Sequence, residues 1–276
     1  TRLAFEGLDL EAFAAEAPRT SLAGSVELAA PADALTGALA FENAEPGPID
    51  ESRLPITAGG ARFHRAGDTL VLDELRAELA RGGGATGSGT VVIAGPGAGA
   101  TALELALARI DLARVHSALV PTQLDGRVAL QVAGAAQRVE GRLADGDLAF
   151  GFAARIADGR LDLDRFRASA GRGRLDGSGR VEFGGRRAFG FDGTASSFDP
   201  SRFGAYPAGT LGGRIELRGV LAPTWQVEGS VALAEGSRLL GVPVRGHARA
   251  NATPTRIAGI DADVSAGRNR VTLKGD

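Results

Sequence analysis

Gly126-Arg127-Val128-Ala129-Leu130-Gln131-Val132 is a glycine followed by strict alternation of polar or small residues with branched apolar ones. Side chains of a β-strand point alternately to its two faces. Val128, Leu130 and Val132 therefore share one face, and Arg127, Ala129 and Gln131 the other. The same phrase, glycine-any-aliphatic-any-apolar, starts at Gly24 (Val26, Leu28), Gly37 (Leu39, Phe41), Gly89 (Val91, Ile93), Gly159 (Leu161, Leu163), Gly179 (Val181, Phe183), Gly213 (Ile215, Leu217) and Gly229 (Val231, Leu233). Val271 and Leu273 continue the alternation near the end. The repeating unit is an amphipathic strand, and the glycines read as strand starts and turns.

A second pattern punctuates the first. Asp9 to Pro18, Asp111 to Pro121 and Asp199 to Pro207 each place an aspartate at a helix N-cap and a proline at the close. They predict three short helices. Each is followed by the glycine phrase in the same register: Leu22-Ala23-Gly24, Leu124-Asp125-Gly126 and Leu211-Gly212-Gly213. One elongated repeat region follows from this, with internal repeats over residues 9–108, 109–196 and 197–276. Each repeat opens on a helix and continues as several strands joined by short, turn-like links such as Ala157-Asp158-Gly159, which pair antiparallel neighbours. The chain has no Met and reads as a piece of a longer protein.

Strands with one apolar face must bury it. A membrane barrel would turn that face outward between aromatic girdles, and one Trp and one Tyr do not supply them. A compact sandwich strains to hold about seventeen strands, because sheets of that size curl or split. The expected fold is all-β: an extended, curled, mostly antiparallel sheet whose apolar face lines a groove, with three short helices between the long repeats. The candidate lining is the apolar pair of each phrase together with Val132, Val271 and Leu273.

Other chemistry finds little support. Thirty-one basic and 33 acidic residues give a net charge of −2 and no basic footprint for nucleic acid. Arginines 165, 167, 172, 174, 180, 186 and 187 are interleaved with acids and read as a solvated strand face. Without Cys there is neither disulfide nor thiolate metal site. Gly82-Gly83-Gly84-Ala85-Thr86-Gly87 matches a dinucleotide fingerprint, but Gly87-Ser88-Gly89-Thr90-Val91 leads into a strand and not the helix a phosphate needs. His64, His116 and His247 have no carboxylate at ligand spacing in the sequence, and the pairs Asp162/Asp164 and Asp261/Asp263 read as solvating the outer face. No cofactor is expected, and no catalysis.

The Asp-capped helix, Leu124-Asp125-Gly126-Arg127-Val128-Ala129-Leu130, the runs Trp225 to Val231 and Val242 to Gly246, and Ala266 to Gly275 resemble the repeat region of the TamB/AsmA-like superfamily of Gram-negative envelope proteins. The resemblance covers essentially the whole chain as a pattern. It implies a periplasmic β-taco, in a parent anchored in the inner membrane outside these residues. The implied partners are phospholipid acyl chains and, through the parent, an Omp85-family (TamA-like) outer-membrane barrel. The implied role is phospholipid movement between the membranes and outer-membrane biogenesis. Two alternatives stay open: a scaffold templating β-barrel assembly through sheet edges, and a structural or polysaccharide-acting β-solenoid.

Overall fold

A computed structural model describes residues 1–13, 17–30, 34–117, 119–204 and 206–275. Among the described residues the protein is all-β, with nineteen strands paired antiparallel. It divides into two compact units, Thr1–Gln137 with Gly141–Asp145, and Arg138–Glu140 with Gly146–Asp276.

The first unit contains β1 (Arg2–Leu8), β2 (Leu22–Ala29), β3 (Thr36–Asn43), β4 (Ile56–Ala66), β5 (Thr69–Leu79), β6 (Gly84–Val92), β7 (Thr101–Ile110) and β8 (Leu124–Ala133), each paired with the next, and most of β9 (Ala136–Asp145). In the second, β10 (Leu148–Ala157), β11 (Arg160–Ala170), β12 (Gly173–Glu182), β13 (Ala188–Phe198), β14 (Gly209–Val220) and β15 (Gln226–Leu233) meander in the same way. They continue through β17 (Val242–Ala252), β18 (Ile257–Ala266) and β19 (Asn269–Gly275), and the two-residue β16 (Arg238–Leu239) bridges β14 and β17. The alternation sets strand phase, and the links close as tight turns. At Asp158-Gly159 both residues have positive φ (52° and 69°), the conformation that matches the twist of a hairpin.

The predicted helices shrink to single turns. Leu10–Ala12 and Pro200–Arg202 are 3-10 turns, and only Leu112–Val115 (α1) is α-helical. Residues 14–16 of the first expected helix, Ala118 and Ala205 lie outside the described residues. The cause of the shortening is the aspartate itself. Asp9 Oδ1 accepts from Glu11 N (3.1 Å), as a cap should, and also from Thr20 N (3.0 Å). A helix from Asp9 to Pro18, rising 1.5 Å per residue, would carry the chain about 13 Å away from that carboxylate.

The same corner recurs. Asp111 Oδ1 holds Ala113 N (3.1 Å) and Thr122 N (3.2 Å), and Asp199 Oδ1 holds Ser201 N (3.1 Å) and Gly209 N (3.0 Å). Two residues before each aspartate the backbone is left-handed, at Gly7 (64°), Arg109 (51°) and Ser197 (49°). A β-bulge precedes it, and the pairs Leu8–Leu22, Ile110–Leu124 and Phe198–Leu211 close the corner. Thr20 and Thr122 are buried, and each hydroxyl bridges the corner. It accepts from Leu10 N or Leu112 N (3.0 Å each) and donates to Leu8 O (3.2 Å) or Ile110 O (2.9 Å). The third corner has no such threonine. Beside it Phe203 is stacked on Phe198 at 4.8 Å and edge-on to Phe150 at 5.8 Å.

Candidate functional site: the apolar sheet faces

Residues directly opposite in an antiparallel pair share a face, so the strand registers assemble the apolar side chains into rows. In the first unit one row runs Leu3, Val26, Leu39, Ala61, Leu75, Gly87, Leu105, Val128, one residue from each of β1 to β8. The next runs Leu28, Gly37, Phe63, Leu72, Gly89, Leu103, Leu130. Phe41 falls in the row of Phe5, Gly24 and Gly59, and Val91 and Val132 in the row of Leu70 and Thr101.

The second unit repeats the arrangement. Phe152, Phe166, Gly177, Gly193, Ile215, Val231, Ala248, Ala262 and Leu273 form one row. Leu163, Gly179, Phe191, Leu217 and Gly229 form another, and Leu161, Val181, Phe189 and Gly219 a third. Leu233 joins Gly246, Val264 and Val271.

These rows correct the reading of the glycines. Seven of the eight phrase glycines lie inside strands; only Gly159 is in a turn. Within the rows many of the strand glycines sit next to a large side chain. The ring of Phe63 lies over Gly37, that of Phe41 over Gly59, and that of Phe5 over Gly24, where an added Cβ would stand 2.8 Å from Phe5 Cζ. Leu105 and Leu103 cover Gly87 and Gly89, and Phe191 covers Gly177 and Gly193. A glycine in a strand often marks a close approach, and here both a bulky side chain and, at Gly24, Gly87 and Gly89, the neighbouring strand's backbone carbonyl approach it.

Seventeen of the nineteen expected lining residues sit on these strand faces. Ile93 and Phe183 do not: they lie one residue beyond β6 and β12 and are exposed. Val271 and Leu273 are on the face but 52% and 53% exposed, at the last strand. Residues with equal claim are Leu103, Leu105 and Leu107 of β7 and Phe189 and Phe191 of β13. Their alternation was visible, but they lack a leading glycine. Most of the face is half-buried, and among large side chains of the described residues only Leu124, at a corner, is fully buried.

The opposite faces are polar and laced with cross-strand ion pairs: Arg62–Glu74 (3.8 Å), Arg155–Asp164 (2.9 Å), Arg167–Asp176 (2.6 Å), Arg249–Glu228. All are substantially exposed, so each contributes little stability, but together they mark the solvated side. The arginine-rich stretch takes part through Arg167 and Arg174, both on Asp176. Asp162 and Asp164 are likewise paired, with Arg160 and Arg155. Neighbouring strands, and for His116 the 3-10 turn Ile49–Glu51, do supply carboxylates to the histidines, which sequence spacing did not reveal. His64 Nδ1 lies 2.8 Å from Asp73, His116 lies 3.8 Å from Asp50, and His247 is opposite Asp263. Among the described residues no three His, Cys, Asp or Glu groups converge as a metal site. Among the described residues no helix is long and apolar enough to cross a membrane. Gly82–Gly87 forms the end of a 3-10 turn and the start of β6, the turn-into-strand geometry expected.

Comparison with family models, with curated proteins and with solved structures finds no match for this chain.

Proposed function

We propose that the apolar sheet faces hold phospholipid acyl chains, in a TamB/AsmA-like envelope protein that carries lipid between the inner and outer membranes and supports outer-membrane biogenesis. In this reading the chain is periplasmic, its parent is anchored in the inner membrane, and the parent meets an Omp85-family barrel. The observation that carries the proposal is the extent of apolar rows that remain only half-buried. A soluble monomer rarely leaves apolar patches beyond a few hundred Å² without a binding purpose. The sequence resemblance supplies the membrane context. Binding needs no chemical step, since each acyl methylene taken from water onto such a face gains about 0.8 kcal/mol.

Lipid mass spectrometry of the purified protein tests the proposal. Phospholipid is expected to co-purify with the protein and to be depleted in a Val128→Asp, Leu130→Asp variant whose β-sheet circular dichroism is unchanged. Lipid-free protein from a lipid-replete host would overturn it.

A further inference from the structure

The strands of the second unit alternate in direction. The links β10–β11 (residues 158–159), β12–β13 (183–187), β14–β15 (221–225) and β17–β18 (253–256) therefore lie along one rim of strand ends. Three of these links are tied to one another. Phe183 N donates to Gly159 O (2.7 Å), Leu221 N to Arg186 O and Arg187 O (3.2 Å each), and Ala222 N to Arg186 O (3.1 Å). The fourth closes on itself, with Thr253 N donating to Arg256 O (2.8 Å).

This ordered rim presents large apolar side chains to water. Phe183, Leu221, Trp225 and Ile257 are between 40% and 64% exposed. Single exposed apolar side chains are ordinary, but these four stand on three successive links, about 10 Å apart at two strand spacings. Arg186, Arg187 and Arg256 stand beside them, exposed and without an ion pair among the described residues. Asp158 is the one acid of the four links. Arg186 and Arg187, grouped by sequence with a solvated strand face, lie instead in a link. The opposite rim of the unit is balanced. Its links, residues 146–147, 171–172, 199–208, 234–237, 240–241 and 267–268, set Asp147, Asp199 and Glu235 against Arg172, Arg202 and Arg268. Arg202 is paired with Asp147 there (2.5 Å), and the exposed Tyr206 and Leu240 have no surplus of cations beside them.

Apolar tips flanked by unpaired cations match the chemistry of a negatively charged bilayer surface. Aromatic rings such as Trp settle at the headgroup level, arginine keeps its charge in water while its stem lies along apolar groups, and clustered basic residues are drawn to anionic lipid. We propose that this rim of the second unit docks on the surface of an anionic phospholipid bilayer. Phe183, Leu221, Trp225 and Ile257 enter the interface, and Arg186, Arg187 and Arg256 meet the lipid phosphates. An acidic protein surface would satisfy the arginines alone and leave the four apolar tips in a polar setting. The inference does not rest on acyl-chain binding by the sheet faces, which uses other residues.

Trp225 is the one Trp of the chain, so its fluorescence reports on this rim. Vesicles of phosphatidylglycerol and phosphatidylcholine in equal parts are expected to shift its emission to shorter wavelength and, when their acyl chains are brominated, to quench it. Vesicles of phosphatidylcholine alone are expected to do neither. Arg186→Gln combined with Arg187→Gln should weaken docking about 25-fold, at about fivefold for each arginine near an anionic surface, and added salt should weaken it further. The Val128→Asp, Leu130→Asp variant should dock as the wild type does, which separates this proposal from binding by the faces. Equal response to both vesicles, wild-type docking by the double arginine variant, loss of docking in Val128→Asp, Leu130→Asp, or binding with Trp225 emission unchanged would each overturn the proposal. Capture by polyglutamate with no response to vesicles would overturn it too, and would assign the arginines to an acidic protein.

Discussion

Gly37 lies opposite Phe63 in the β3–β4 pair, and the phenyl ring occupies the space that a side chain at Gly37 would need. Gly37→Val is therefore expected to overpack the row and destabilise the protein by about 1–3 kcal/mol, read as a lower urea midpoint. Gly275→Ala is the control. A Cβ there meets nothing within 4 Å, and the midpoint is expected to move by less than about 0.5 kcal/mol.

That relationship marks the limit of what the sequence discloses. Strand phase was legible, since polar–apolar alternation is local: Val26 and Leu28 of β2, and Val128, Leu130 and Val132 of β8, share a face as the alternation requires. The role of Gly37 was not, because Phe63 reaches it only through the cross-strand register, which no local pattern states. The helices were overread for a related reason. Asp9 and Asp111 carry the cap signal, but their second hydrogen bond, to Thr20 or Thr122, is made eleven residues away and closes the segment into a corner. Of the lining, the glycine-led strands were found, while β7 and β13 were passed over because no glycine announces Leu103 or Phe189.

The buried threonine latch gives a second expectation. Thr122→Val keeps the shape but leaves Leu112 N and Ile110 O without their partner. An unsatisfied buried group costs about 1–3 kcal/mol, so chemical denaturation should show a loss of that order. Thr20→Val should cost a similar amount at the first corner.

Asp199 supplies a pH test. The Ser201 hydroxyl, then the Gly209 N–H, hold its carboxyl below the ordinary value of 3.8. A carboxyl with a depressed folded-state pKa stabilises the fold above its unfolded value, and that contribution is lost as pH falls through the folded one. Asp263, lowered by Arg270, acts in the same direction. Stability measured against pH should decline below about pH 4, and Asp199→Asn should make that acid decline shallower. An unchanged acid limb in Asp199→Asn would remove Asp199 from the explanation.

The most direct test of the central proposal is a photo-crosslinking amino acid at Leu130, irradiated in cells and analysed by mass spectrometry. Leu130 is half-buried in the row of Leu28, Phe63, Leu72 and Leu103. Phospholipid adducts are expected at Leu130, and none at Gln131 on the opposite face. Adducts to protein alone at Leu130, or equal lipid labelling at both positions, would contradict acyl-chain binding by this face.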